Sequence, residues 1–108
     1  SRLFSPDFFI NPQMGAQMDV LRVAIDGQRG VELTYRDEKG QDSQRRVRPL
    51  GLFFWGGAWS LGAWCELRND FRNFRLDRIA NSIVLPERFV DEAGRRLADY
   101  LRAMSCEE

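Results

Sequence analysis

Four arginines fall within eleven residues of this chain and alternate with phenylalanine. The run reads RNDFRNFRLDR from Arg68 to Arg78, with Arg72, Arg75 and Arg78 at every third position. A guanidinium group is a planar fork of donors that suits phosphate and carboxylate, and it also stacks on flat rings. The interleaved phenylalanines supply either core packing or a stacking surface. This pattern predicts an anion- or nucleotide-binding site built into a sheet.

The same segment also has a structural interpretation. On an ideal strand Phe74 and Leu76 point inward and Arg75 points outward, so the arginines cannot all line one site. Arg75 and Arg78 could instead pair with nearby carboxylates (Asp70, Asp77 or Glu66) and fix loops. Both interpretations stay open for a wider set of arginines and rings, which comprises Tyr35, Arg45, Arg46, Arg48, Trp59, Arg68, Arg72, Phe74, Arg75 and Arg78.

The functional interpretation assigns this set to nucleic-acid chemistry. Fixed arginine forks hold backbone phosphates while bases stack on nearby rings. Tyr35 and Phe71 are the rings proposed to stack on bases. Trp55, Trp59 and Trp64 are expected to flank the site.

Little else in the chain suits catalysis. The sequence has no histidine, which removes the commonest general base and the Ser-His and Cys-His nucleophiles. Cys65 and Cys106 stand 41 residues apart without a CxxC motif, so we expect no zinc site and no disulfide. Cys65 lies among apolar residues and is interpreted as a buried, inert thiol. We therefore expect no enzyme, no metal and no cofactor, and a reducing, cytoplasmic location.

The charge of the chain is zero on average but is unevenly distributed. The 108 residues carry 16 basic and 16 acidic groups, which argues against a general polyanion binder. Residues 29–85 nevertheless carry ten basic groups against seven acidic ones. The length suits one domain, and no apolar run reaches the 18 residues that a membrane span needs.

Periodicity predicts the elements that must position these arginines. Helical spacing of apolar residues indicates a helix over 13–27, and strict alternation indicates a strand over 30–36. Further strands are expected over 43–55, with Pro49 at an edge or bulge, and over 58–66, 72–77 and 79–85. Gly40 and Gly56-Gly57 mark turns. Apolar residues at three- and four-residue spacing predict an amphipathic helix over 86–104.

This element order predicts a mainly β fold with flanking helices. Five short strands between two helices are typical of a small SH3-like or Sm-like barrel. We divide the chain into an N-terminal tail and connecting helix (1–28), a barrel (29–85) and a C-terminal helix (86–108). The tail contains Phe4, Phe8, Phe9 and Ile10, and we expect it to pack on this domain or on a neighbour.

Three motifs in this order resemble the WYL domain. They are Arg45-x-Val47-x-Pro49 with Gly51-Leu52, the hairpin into Trp59-Ser60-Leu61, and the segment from Cys65 to Ile79. The resemblance covers about residues 30–85. The chain departs from the family pattern at Ser60, which stands where the Trp-Tyr-Leu triplet has tyrosine.

The resemblance implies a Sm-like barrel that follows a winged-helix or helix-turn-helix DNA-binding domain in a bacterial transcription regulator. The barrel would sense single-stranded nucleic acid or a nucleotide and adjust DNA binding, with a homodimer expected. This chain would then be a piece from the C-terminal side of such a regulator. The ligand-binding positions would be Tyr35, Arg45, Trp59, Arg68, Arg72, Arg75 and Arg78.

Two other functions fit the same residues. The first is a dimerisation or protein-interaction module that has no small ligand. The second is a general RNA-binding Sm-like module without a regulatory role, which would neutralise several phosphates and depend steeply on salt.

Overall fold

The computed structural model describes residues 11–105, which form a five-stranded antiparallel sheet with one helix before it and one after it. The N-terminal tail and Cys106 lie outside the described residues. Numbered in chain order, the elements are α1 (Pro12–Gly27), β1 (Arg29–Arg36), β2 (Asp42–Trp55), β3 (Ala58–Cys65), β4 (Asp70–Arg75), a 3₁₀ turn (Leu76–Arg78), β5 (Ile79–Arg88) and α2 (Leu97–Ser105).

Helix α1 is fixed at both ends by local chemistry. Asn11 accepts a hydrogen bond from the backbone N–H of Met14 at 2.8 Å, and Pro12 occupies the first turn. At the other end Gln28 adopts a left-handed conformation with φ 54°. The helix buries one stripe, formed by Met18, Leu21 and Ala24, against the sheet. The predicted helix over 13–27 is confirmed.

The sheet follows the order β4-β3-β2-β1-β5. Gly56 and Gly57 both take positive φ and close the β2–β3 hairpin, as two-residue turns of this kind require. The ladder between β2 and β3 shifts register between Pro49 and Gly51, where the sequence predicted an edge or bulge.

The sheet is strongly curled. Tyr35 lies on β1 and Phe74 lies on β4, with two strands of the sheet between them, yet their ring centroids are 5.1 Å apart. The Tyr35 hydroxyl also accepts a hydrogen bond from the backbone N–H of Arg75 at 3.1 Å. The inner face of the curl and α1 together enclose the core, which includes Val31, Leu33, Val47, Leu61, Phe74 and Ile79. The predicted mainly β fold with five strands and flanking helices is confirmed.

The predicted extent of the C-terminal helix is wrong. Helix α2 begins only at Leu97, and residues 86–88 continue β5, with Arg88 paired to Arg29 of β1. The Phe89 N–H then bonds the Gln28 carbonyl at 2.9 Å, and Gly94 takes φ +90°. These long-range hydrogen bonds and the positive φ of the glycine prevent residues 86–94 from forming a helix, although their apolar residues have helical spacing. The Asp99 carboxylate reaches back to the Arg96 N–H at 3.0 Å and starts the helix there.

The fourth predicted strand is also displaced. It covers Asp70–Arg75, and Leu76–Arg78 form the 3₁₀ turn that leads into β5. Leu76 stays buried in that turn, as its predicted inward position requires.

Candidate functional site

Arg45 and Arg72 lie on the inner face of the sheet. Directly opposed residues of antiparallel strands project to the same side. Arg45 is opposite Leu33, and Arg72 is opposite Ala63, and both of these apolar partners are fully buried in the core. The register therefore assigns both arginines to the face that carries the core, where each is half-buried.

Neither of these two arginines has a carboxylate partner in the part of the chain that the structure describes. Arg45 donates to the Ser43 hydroxyl at 3.3 Å and to the Cys65 sulfur at 3.8 Å; neither group is charged, and the sulfur is a weak acceptor. Arg72 makes no side-chain hydrogen bond or ion pair with any described residue. Asp70 shares their face, but its Oδ1 accepts from the Phe71 backbone N–H at 2.8 Å.

Tyr35 also lies on the inner face. It is opposite Ser43 on β2, two positions from Arg45, and its ring meets Phe74 edge-on. Because the Tyr35 oxygen accepts from the Arg75 backbone, its own O–H proton remains available to a further acceptor. Tyr35 is thus held as a hydroxyl donor, and its ring is engaged by the core.

Arg75 lies on the opposite face and is neutralised. Its guanidinium binds both oxygens of Asp77 at 2.7 and 3.0 Å, as the structural interpretation of the sequence predicted. The hydrogen bond from Arg75 holds the pKa of Asp77 below its usual value, and the charge of Arg78 acts in the same direction. The same hydrogen bond raises the pKa of Arg75. Arg75 and Arg78 therefore both stand beside the Asp77 carboxylate.

Trp59 and Arg68 lie at different ends of β3. Trp59 is six residues before Cys65, which at strand rise places it roughly 20 Å away. It lines a small cavity of about 90 Å³ together with Met14 and Arg75. Arg68 is exposed in the β3–β4 turn beside Cys65 and has no ion pair within the described residues. The structure therefore brings Arg45, Arg68 and Arg72 toward the Cys65 end of β3. Trp59 lies at the other end beside Arg75, and the Tyr35 hydroxyl, bound to the Arg75 backbone, lies between Arg72 and Trp59.

A family model described as the WYL domain matches residues 16–84 of the chain. The chain belongs to the WYL domain family. The match starts within α1 and so extends the predicted resemblance, which began near residue 30, toward the N-terminus.

Two known proteins resemble this WYL domain. It is 34% identical over 70 residues to a protein of Bacillus subtilis (strain 168) named "Uncharacterized HTH-type transcriptional regulator YobV", a match that covers 65% of this chain and 22% of that protein. Its structure resembles the proteasome accessory factor B/C (PafBC) of Arthrobacter aurescens, with a TM-score of 0.70 and 26% identity. That likeness covers 79% of this chain and 13% of the other. The WYL domain thus spans only a small part of each relative.

The expected positions of several aromatic rings around the arginines are wrong. Phe71 is opposite Trp64 on the outer face, where its ring lies 5.1 Å from that indole and 5.8 Å from the ring of Tyr100. Trp55 also contacts Tyr100, through a 3.2 Å hydrogen bond from its indole N–H. These rings pack between the sheet and α2, so they neither stack near Arg45 and Arg72 nor flank them.

The outer-face aromatic cluster is the feature that sequence reasoning missed. Tyr100 of α2 covers Gly62 in the middle of β3, where a Cβ atom would collide with the phenol ring. Its ring also stacks on Phe53 of β2 at 5.4 Å. A glycine inside a strand is the signal that could have revealed this close approach.

The described residues show two further absences. None of the helices in residues 11–105 is long and apolar enough to cross a membrane. Within the same range no three histidine, cysteine or acidic side chains cluster in a way that could hold a metal ion.

Proposed function

We propose that this WYL domain is the ligand-sensing part of a bacterial transcription regulator. Its inner-face arginines would bind phosphate groups of single-stranded nucleic acid or of a nucleotide. The proposal is supported by the family and by a relative whose name describes an HTH-type transcriptional regulator. In the parent protein a DNA-binding domain would precede this one, in a cytoplasmic homodimer.

The observation that carries the proposal is the difference between the arginines on the two faces. Arg48 and Arg75 each hold a carboxylate at 2.7 Å. Arg45 and Arg72 share the inner face, and neither binds a carboxylate among the described residues. A half-buried guanidinium without a counter-ion is a ready site for an anion, because charge-assisted contacts to phosphate are strong.

The neighbours of the two arginines define what such a ligand would contact. Tyr35 offers a hydroxyl proton, and Arg68 adds a positive charge at the adjacent turn. With Phe71 on the outer face and Trp59 roughly 20 Å from Cys65, stacking contributes little at this end. We therefore expect phosphate contacts to carry the affinity and base identity to matter less.

The experiment that tests this proposal is isothermal titration of the purified domain with a short single-stranded DNA, the equivalent RNA and a mononucleotide. Arg72→Ala is expected to weaken binding by at least tenfold, since charged hydrogen bonds contribute about 1.5–3 kcal/mol. The matched control is Arg46→Ala, which removes the same charge from the neighbour of Arg45 on the opposite face. Equal affinities of these two variants would refute the assignment of the site.

A second candidate function is a dimerisation or protein-interaction module with no small ligand. It is favoured by Leu97 and Leu101, which are one helical turn apart on α2 and are 40% and 41% exposed. Sedimentation of the domain at high micromolar concentration distinguishes the two functions. A monomer that still binds single strands would contradict the interaction module.

A further inference from the structure

A second cavity opens on the outer face of the sheet, where α2 crosses β3 and β4. Its volume is about 410 Å³, which falls within the range of small-molecule sites. No ionisable side chain among residues 11–105 lines it. The lining residues are Trp55, Ser60, Asn73, Leu101, Met104 and Ser105.

Ser60 contributes a buried hydroxyl group to the wall of this cavity. The residue is 5% exposed, and its hydroxyl has no hydrogen bond with any described residue. It is also the position at which this chain departs from the Trp-Tyr-Leu triplet. A serine there leaves open the space that a larger ring would fill, and it leaves a hydroxyl directed at that space.

The side-chain amide of Asn73 supplies an N–H donor whose present acceptor is weak. Its Oδ1 accepts the hydroxyl proton of Tyr100, but its Nδ2 donates to the Met104 sulfur at 3.3 Å. A thioether is a weak acceptor, so a carbonyl or ring nitrogen would be a better partner for this amide. The Tyr100 hydrogen bond thus fixes the orientation of the carboxamide, and its Nδ2 group can donate to a ligand in the cavity.

Trp55 supplies a rigid apolar wall. Its ring stacks on Phe53 at 5.2 Å with an angle of 14° between the planes, and its indole N–H donates to Tyr100. The residue nevertheless remains 42% exposed. An indole that is fixed in this way can contact a flat ligand without losing side-chain freedom.

We propose that this cavity binds a neutral, planar aromatic ligand that carries a hydrogen-bond acceptor. Its ring would lie between Trp55 and the side chains of Leu101 and Met104. Its carbonyl or ring nitrogen would accept from the Asn73 amide, and Ser60 would bind an adjacent polar atom. Neutrality follows from the lining, because a charged group would lose its hydration without a counter-ion. This inference does not depend on the inner-face arginines.

The test uses benzamide as the probe and follows the amide and indole N–H signals of the isotopically labelled chain by NMR. We expect saturable shifts of the Asn73 side-chain amide and the Trp55 indole. Benzoate has nearly the same shape but carries a charge, and it should bind at least fivefold more weakly. Cyclohexanecarboxamide keeps the amide without the flat ring, and it should also bind more weakly.

A larger side chain that fills the cavity is expected to weaken benzamide binding strongly. Ser60→Tyr should weaken benzamide at least tenfold, whereas the control Asn81→Tyr adds the same ring at an exposed position of β5 and should leave affinity unchanged. If Ser60→Tyr does not fold, Met104→Trp blocks the cavity from α2 instead. Equal binding of benzamide and benzoate, or full affinity in the filled variants, would overturn the proposal. Shifts of the same signals on raising the protein concentration alone would assign the surface to a second copy of the chain.

Discussion

At the scale of single residues, the face of the sheet to which an arginine projects determines whether it can join the proposed anion site. Arg72 and Asn73 are adjacent in the chain but project to opposite sides of β4, because successive strand residues alternate. Arg72 therefore joins the inner face with Arg45, and Asn73 joins the outer-face cavity. One hairpin, β3–β4, thus carries residues of both proposed sites.

The residue types of the candidate site could be predicted from the sequence, but their availability could not. Alternation correctly assigned Phe74 inward and Arg75 outward. The pairing of Arg75 with Asp77 is local and was predicted, but other arginines are neutralised by carboxylates that are distant in sequence: Arg48 binds Glu66 and also Glu92, which is 44 residues away. Only the folded structure brings such groups together.

Asp77 provides a pH-dependent prediction. Because its pKa in the folded state is lowered by Arg75, the ion pair stabilises the fold fully above the ordinary pKa of 3.8. That stabilisation is lost as the pH falls from 3.8 through the lowered pKa of the folded state. Both side chains are over 40% exposed, so the contribution is at most about 1 kcal/mol. Urea unfolding should show Asp77→Asn less stable than the parent at pH 6, and by a smaller margin at pH 3.

The control for that prediction is Asp19→Asn, whose partner Arg22 is 3.7 Å away on the surface of α1. It should have little effect at either pH. A stability difference for Asp77→Asn that is as large at pH 3 as at pH 6 would show that the aspartate acts through something other than its charge.

Gly62 provides a prediction about packing. In Gly62→Ala the new methyl group meets the Tyr100 ring, so either the ring or α2 must move. Overpacking of this kind costs about 1–3 kcal/mol. Urea denaturation measures the loss, with Gly27→Ala as the control, since there the nearest atoms belong to the flexible Arg29 side chain at 3.5 Å. Equal stabilities of the two variants would contradict the close packing of α2.

At the scale of elements, the strands were predictable because their signals are local. The alternation in β1 and the turns at Gly40 and Gly56-Gly57 do not need the rest of the chain. The segment after Pro86 was not predictable in this way. Its apolar spacing is helical, but pairing with β1 extends the strand to Arg88, and the Gln28 carbonyl holds Phe89.

The loop between β5 and α2 is held by an ion-pair network centred on Arg48. This side chain is 14% exposed and donates to Glu66 at 2.7 Å and to Glu92 at 3.0 Å. Arg95 binds the same Glu92 and lies 4.6 Å above the Trp64 ring. The network therefore connects β2, the β3–β4 turn and the loop.

Removing Arg48 is expected to loosen that loop. Arg48→Met should lower the free energy of unfolding by about 1.5–3 kcal/mol and speed hydrogen exchange at residues 89–96. Arg36→Met is the matched control, because the Arg36–Asp42 pair is exposed and solvent screens it, so its loss should change stability far less. Unchanged exchange in Arg48→Met would show that the network does not hold the loop.

At the scale of the whole molecule, zero net charge limits general attraction to nucleic acid. A ligand held mainly by two arginines neutralises few phosphates, so its affinity should depend weakly on salt. With two phosphates the expected slope of log affinity against log salt is about −1.4 for a single strand. A slope several times steeper would favour the general RNA-binding module instead.

The most direct test of the central claim compares two double variants that remove the same charge from different places. Arg45→Gln/Arg72→Gln empties the proposed inner-face site, whereas Arg46→Gln/Arg88→Gln removes two exposed arginines that have no ion pair among the described residues. We expect single-strand affinity, measured by calorimetry, to be lost in the first and retained within about threefold in the second, a difference of at least ~1.4 kcal/mol. Equal losses in the two double variants would show that binding follows total charge and would contradict the inner-face site.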